Sequence, residues 1–169
     1  GAWVDWQLGV TDTSADFVGQ DGRFYEFEAR GVDNVGNEES FTGSPEAWTT
    51  TDTKPPLSTV NPFPNSPISS TTFTVAWTGD DGGGSGIAYY DVQYRYNGGG
   101  WVLWQDQTTA TSAVFDASVT GDGGYDFEVR AVDNLGRVEM FLDEPEASII
   151  VDTQPPFVEP RLWLPLAQR

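Results

Sequence analysis

A ten-residue segment that occurs twice constrains the fold of this chain more than any other feature. Tyr25–Asn34 reads YEFEARGVDN, and Tyr125–Asn134, one hundred positions later, reads YDFEVRAVDN. Apolar and charged residues alternate in both copies, which is the period of two of a half-buried strand. Both copies continue into an Asp-Asn-x-Gly turn, where Asn and Gly tolerate a positive φ. The pattern predicts an all-β chain with an internal repeat.

The repeat extends well beyond this segment. Residues 25–56 and 125–156 share 17 identities over 32 positions. Upstream the spacing becomes 98, and three aromatic residues of each copy match. They are Trp3, Trp6 and Phe17, with their counterparts Trp101, Trp104 and Phe115. A period of about 100 residues fits one β-sandwich domain better than a short solenoid repeat.

The second copy contains strand patterns for a complete domain, separated by turns rich in Gly, Pro, Asn and Asp. The predicted strands are Ser58–Val60, Thr72–Trp77, Ile87–Tyr96, Trp101–Gln105, Ser112–Asp116, Gly124–Val132 and a last strand in two pieces, Val138–Phe141 and Ala147–Val151. Seven short strands at this spacing are typical of two antiparallel sheets packed face to face.

Three motifs of the second copy resemble the fibronectin type III-like modules of large secreted bacterial surface proteins. They are WxGxD…SGIxxYDVQYR from Trp77 to Arg95, GGxWxxW ending at Trp104, and YxFxVRAxDNxG from Tyr125 to Gly136. The resemblance implies tandem antiparallel β-sandwiches, a secreted or cell-surface location, and core positions on strands B, C and F. The implied core residues are Trp77, Tyr90, Val92, Tyr94, Tyr125, Phe127 and Val129.

The resemblance covers the second copy fully and the first copy only in part. It divides the chain into a partial module (residues 1–52, strands C′, E, F and G), a Pro linker (53–56), a complete module (57–152), and a linker with a C-terminal apolar tail (153–169). Strands A, B and C of the first module have no counterpart in the sequence. Half a sandwich would leave Phe17, either Phe24 or Tyr25, Phe27 and Val32 open, and open apolar sheet faces associate.

Two explanations account for the partial module. One is that the chain is a fragment, and that an upstream part of the same parent protein supplies strands A to C. The other is that other copies of the chain complete the module by donating the C-terminal tail, because a lone strand edge can be extended by an added strand. The donor residues would be Val158, Leu162, Trp163, Leu164 and Leu166, docking on Phe17, Tyr25 and Phe27.

Charge and composition exclude several classes of function. Eight basic and 26 acidic residues give a net charge of −18, which disfavours nucleic acid and anionic membranes as partners. The chain has no Cys and no His, so thiol nucleophiles, His-assisted serine chemistry and Cys or His metal sites are excluded. Apolar runs are too short for a membrane helix. The sequence thus predicts a protein that is not an enzyme, does not insert into membranes and needs no cofactor.

Two small sites are candidates for ligand binding. Asp80, Asp81 and Asp133 fall at one end of the predicted sandwich, where they could converge on Ca²⁺, although the same residues could simply cap turns. Trp101 and Trp104 lie three apart on a strand, so one of them should face outward and could stack on a sugar.

These observations favour a non-catalytic extracellular structural or adhesion module, acting as a spacer or filament subunit. The alternative is a polysaccharide-binding accessory module of a secreted hydrolase. A glycan array probed with Trp101→Ala and Trp104→Ala variants distinguishes the two hypotheses.

Overall fold

The computed structural model describes residues 1–156, and the C-terminal tail lies outside this range. The described chain is all-β, without any helix, and forms several antiparallel sheets. Its nine strands are β1 (Arg23–Phe27), β2 (Ala47–Thr51), β3 (Leu57–Val60), β4 (Thr72–Asp80), β5 (Ile87–Tyr96), β6 (Val102–Thr108), β7 (Ser112–Asp116), β8 (Gly123–Asp133) and β9 (Ala147–Val151).

The chain divides into two compact units. The first unit contains Gly1–Lys54 together with Gly82–Ser85, and the second contains Pro55–Asp81 and the described residues from Gly86 onward.

The second unit contains two sheets, and its apolar side chains point inward from both. One sheet has three strands in the order β3-β4-β7, and the other has four in the order β6-β5-β8-β9. Inward positions alternate with outward ones, as in β9, where Ala147, Ile149 and Val151 are buried and the residues between them are exposed. Val75 and Val92, one from each sheet, are fully buried. This arrangement is consistent with a β-sandwich.

The repeated segment forms the central strand of the larger sheet. Its second copy lies in β8, which pairs with β5 along one edge and with β9 along the other. Tyr94 of β5 lies opposite Phe127, and Ala147 of β9 lies opposite Phe127 on the other side. A strand that is paired on both edges and buried on one face is strongly fixed in register.

The strand predictions for the second unit are confirmed, except for one piece. Val138–Phe141 was expected to begin the last strand, but Val138 makes only an isolated bridge to Val132. The reason is that Glu139 turns toward the sheet and accepts a hydrogen bond from the Ala131 amide (3.0 Å). The backbone therefore bends as a loop before β9.

The first unit contains one two-stranded ribbon. β1 pairs with β2 in the register that β8 and β9 use, with Tyr25 opposite Thr49 and Phe27 opposite Ala47. β1 has five residues where β8 has eleven. The reason is that β9 pairs with β8 only as far as Phe127, whereas β5 pairs with it as far as Asp133. In the first unit no strand plays the role of β5.

The expectation of strands C′ and E in the first unit is wrong. Residues 4–10 and 14–18, which match β6 and β7, are not strands in the described structure. In the second unit β6 pairs with β5, and β7 pairs with β4. Because backbone polar groups need partners to form a ladder, these two segments cannot form strands where counterparts of β4 and β5 are missing.

Candidate interaction surface

Four aromatic residues of the first unit gather on one face of the ribbon. We call Trp6, Phe17, Tyr25 and Phe27 the open aromatic face. The ring of Phe17 lies 5.3 Å from that of Trp6, 4.7 Å from that of Tyr25 and 5.0 Å from that of Phe27, all in edge-to-face geometry. Such pairs are favourable beyond the area they bury. The cluster therefore holds its shape, although Trp6 is 47% exposed and the other three are only half-buried.

The same positions in the second unit are closed. Phe115 is 4% exposed, and Tyr125 and Phe127 are fully buried. The rings that cover them come from the loop after β3, from β4 and from β5, and include Phe63, Phe73, Tyr94 and Tyr96. Identical residues in identical register thus differ in burial because the first unit lacks these covering strands.

A glutamate fixes the loop before the last strand in each unit. Glu128 is 1% exposed, accepts hydrogen bonds from the Leu142 and Asp143 amides, and receives the side-chain amide of Gln93 (2.8 Å). Glu28 does the same for the Thr42 and Gly43 amides. Partial burial acts to raise the pKa of Glu28, but the hydrogen bonds from Thr42 and Gly43 outweigh it and hold the pKa below its ordinary value.

Two further carboxylates of the second unit connect the strands β3 and β8. Glu139 accepts the amide of Ser58 (2.9 Å) from β3 and that of Ala131 from β8. Glu146 accepts the amide of Val60 (2.8 Å) and, more weakly, that of Val129 (3.3 Å). Each carboxylate therefore links two strands that belong to different sheets.

The first unit has both carboxylates but only half of their partners. Glu39 accepts the Gly31 amide (3.1 Å), and Glu46 accepts the Ala29 amide (3.2 Å). These amides correspond to Ala131 and Val129. Both glutamates are exposed, because the first unit has no strand equivalent to β3.

The protonation of Glu146 should link the stability of the second unit to pH. Burial raises the pKa of Glu146, and repulsion by Glu128 and Glu139 adds to the rise, against the two amide hydrogen bonds. A pKa that is raised in the folded state stabilises the fold below the pKa of the unfolded state, 4.5. This contribution is lost as the pH rises through the pKa of the folded state. Glutamine keeps the acceptor oxygen but carries no charge. We therefore expect the parent chain to lose stability relative to Glu146→Gln as the pH rises from about 4 to about 8.

Urea unfolding of both chains across this pH range measures the difference. A difference in unfolding free energy that stays constant over the whole range contradicts the prediction.

An aspartate anchors the end of β2 in the first unit. Asp21 accepts the amide and hydroxyl of Thr53 (2.7 and 2.9 Å) and pairs with Lys54 (2.7 Å). The Lys54 and Thr53 donors lower the pKa of Asp21 to about 2. Asp122 holds Thr153 in the same way in the second unit, so the repeated Thr-x-Pro-Pro linkers begin at a fixed point.

The structure brings together two of the three residues of the candidate calcium site. A carboxylate oxygen of Asp81 and one of Asp133 lie within 4.8 Å of each other, whereas Asp80 is exposed at the end of β4 and is not in this group. Asp133 accepts the Leu135 and Arg137 amides and faces the Arg137 guanidinium at 3.7 Å. Asp81 accepts the Gly86 amide (2.6 Å). Both aspartates therefore act as turn caps, and Arg137 supplies positive charge beside Asp133.

The two tryptophans of the candidate sugar site have different environments. Trp104 packs against Trp77, Phe115 and Phe127 in the core, with ring centroids 5.2 to 6.4 Å apart. Trp101 faces outward, and the Arg95 guanidinium lies over its ring at 4.7 Å. Only Trp101 is therefore the outward member of the pair.

A second exposed aromatic pair lies on the opposite face of the ribbon. Phe24 and Trp48 are 57% and 70% exposed, with ring centroids 5.7 Å apart. Their counterparts in the second unit are Gly124 and Ser148. The missing strands therefore do not explain this pair, and we have no physical account of it.

Some predicted residues lie beyond the described structure, and some important ones were not predicted. The donor residues Val158, Leu162, Trp163, Leu164 and Leu166 all lie outside the described residues. Glu28, Glu39 and Glu46 were not among the candidate residues predicted from the sequence. Their signal was their identity in both copies, because Glu28, Glu39 and Glu46 all match glutamates exactly 100 positions later.

Comparison with protein-family models finds no match for this chain, and comparison with curated proteins finds none either. Within residues 1–156 there is no helix of the length and apolar character needed to cross a membrane.

Proposed function

We propose that this chain is a non-catalytic structural module of a secreted or cell-surface protein, acting as a spacer or filament subunit. Its first unit is completed by strands from another polypeptide segment. The observation that carries this proposal is the difference in burial between matched residues. Phe17, Tyr25 and Phe27 are partly open, whereas Phe115, Tyr125 and Phe127 are buried.

Two features of the second unit support a fibronectin type III-like module. The sheet orders β3-β4-β7 and β6-β5-β8-β9 correspond to strands A-B-E and C′-C-F-G. The Tyr125 hydroxyl, near the start of β8, donates to the Gly121 carbonyl (2.6 Å). A tyrosine bonded to the backbone a few residues upstream at this corner is a hallmark of immunoglobulin-like sandwiches. Tyr25 makes a related contact, accepting the Gln20 amide (2.8 Å).

The buried charges of the second unit support a structural role. Asp91 is 4% exposed, accepts the Gln107 amide (2.9 Å) and pairs with Arg130 (2.9 Å). Glu128 and Asp133 accept backbone amides of loops. Buried carboxylates that cap loops in this way fix the connections between strands.

Assembly would follow from the open aromatic face. An exposed strand edge beside an apolar face accepts added strands, and the apolar tail of residues 157–169 is the candidate donor within the chain. Donation from one copy to the next is a head-to-tail contact, which builds open filaments rather than closed dimers.

Removal of the tail tests this assembly. We expect the 169-residue chain to form polymers that sediment faster than a monomer, and a chain ending at Pro156 to lose them. Sedimentation velocity and negative-stain microscopy measure the effect. Leu162→Asp with Leu164→Asp is a second variant that should also lose the polymers, because it keeps the tail length and replaces two of its apolar side chains. Polymers that persist unchanged in both variants would contradict donation by the tail.

A further inference from the structure

We propose that the open aromatic face binds a three-strand polypeptide segment with the chemistry of Leu57–Tyr96, and that Glu39 and Glu46 are its polar docking points. This inference deepens the proposed function and rests on it, since both require the first unit to be completed. It adds the nature of the missing segment, its register and the residues that hold it.

The first argument is the apolar match. In the second unit β4 and β5 place Phe73, Trp77 and Tyr94 against the rings of Phe115, Trp104 and Phe127, respectively. The ring distances are 5.4, 6.4 and 6.4 Å. The first unit presents the same three ring types at the matching positions, Phe17, Trp6 and Phe27. A segment with an aromatic residue at each of the three covering positions therefore fits this face.

The second argument is hydrogen-bond complementarity. Glu139 and Glu146 accept the amides of Ser58 and Val60, two residues apart on β3. Glu39 and Glu46 are held in place by the amides of Gly31 and Ala29, and both are exposed. Hydrogen bonds from amides to carboxylates are about twice as strong as neutral ones. The docked segment should thus bring a β3-like strand whose amides two residues apart meet these carboxylates.

The third argument is register. β2 occupies one edge of β1, as β9 occupies one edge of β8. The other edge of β8 pairs with β5, with Tyr90 opposite Ala131, Val92 opposite Val129 and Tyr94 opposite Phe127. A β5-like strand on the first unit would accordingly align its matching residues with Gly31, Ala29 and Phe27.

Other occupants of this face fit less well. The Leu57–Tyr96 segment of a second copy is already committed to its own core, where Val75 is 0% and Trp77 is 1% exposed. The tail of residues 157–169 has thirteen residues, whereas β3, β4 and β5 contain four, nine and ten. The tail can extend one edge, but it cannot also cover the face.

Fusion of the missing segment to the full chain tests the inference. A copy of residues 55–98 placed directly before Gly1 restores the spacing of the second copy, where Gly98 is followed by Gly99, Gly100 and Trp101. We expect amide exchange across residues 25–32 to slow by about tenfold or more, and binding of a hydrophobic dye to fall. A fused copy carrying Val75→Asp and Trp77→Ser is the control and should give neither effect.

The docking points have their own variants. Glu39→Ala with Glu46→Ala in the fused chain should remove much of the exchange protection that the fused segment gives residues 29–31. Glu38→Ala is the matched control and should leave it intact, because the Glu38 side chain makes an exposed pair with Arg30 (2.9 Å), and such pairs contribute little. If the fused chain precipitates, the separate 55–98 peptide added to the 169-residue chain gives the same readout.

The outcomes separate this inference from the proposed function. Exchange that is unchanged with both the fused and the added segment overturns the inference, even if the unmodified chain polymerises through its tail. Protection by the segment without any polymer supports the inference and counts against assembly through the tail. Protection that increases with the concentration of the unmodified chain identifies a second copy as the occupant and also overturns the inference.

Discussion

Replacement of Phe127 by alanine is expected to destabilise the second unit by about 3–5 kcal/mol, the usual loss for a fully buried phenylalanine. Phe127 is 0% exposed. Its ring contacts five other aromatic rings at 5.1 to 6.4 Å, those of Phe63, Phe73, Tyr94, Trp104 and Phe115. Domains of this size are stable by only about 5–15 kcal/mol. Phe127→Ala should therefore leave the second unit close to unfolding.

The chain contains its own control for this substitution. Phe27 occupies the matching position of the first unit and contacts only Trp6 and Phe17 at 5.9 and 5.0 Å. Because Phe27 belongs to the first unit and is half-open to solvent, Phe27→Ala should leave the unfolding of the second unit unchanged to within about 0.5 kcal/mol. Urea unfolding followed by amide exchange in residues 123–133 measures both variants. Equal losses in the two variants would show that the difference in burial has no energetic consequence.

The strands of the second unit could be predicted because their signal is local. Ile87–Tyr96 and Ser112–Asp116 have the predicted bounds, since alternation with a period of two depends only on neighbouring residues. Gly124–Val132 extends by one residue at each end. The all-β class follows from the same pattern written several times.

The parts that failed depend on distant partners. Residues 4–10 and 14–18 match β6 and β7 in the sequence, but a pattern forms a strand only beside a neighbour, and the first unit has none for them. Val138–Phe141 failed because Glu139 bonds to the backbone of Ala131 and Ser58. A contact over 81 positions leaves no trace in local periodicity.

Only aromatic residues of the candidate site could be predicted from the sequence. Phe17, Tyr25 and Phe27 were identified because they match core residues of the complete second copy, and the first copy has no strands to bury them. The carboxylates were missed, since an exposed glutamate and a loop-capping glutamate look alike in a sequence. Comparison of the two copies position by position separates them, because Glu28, Glu39 and Glu46 recur whereas their neighbour Glu38 is replaced by Val138.

Removal of the Glu128 side chain is the second substitution with a large expected effect. Glu128→Ala takes the acceptor away from the Leu142 and Asp143 amides and from Gln93, and Asp143 holds a left-handed φ of 60° in this loop. Hydrogen bonds to a buried charged group contribute about 1.5–3 kcal/mol each, and donors left without an acceptor add to the cost. We expect a loss of about 3 kcal/mol in the unfolding free energy of the second unit, measured by urea titration. Glu28→Ala is the matched control and should leave the unfolding of the second unit unchanged. A loss for Glu128→Ala no larger than that for Glu28→Ala would mean that the loop before β9 is held by its own turn chemistry rather than by the buried carboxylate.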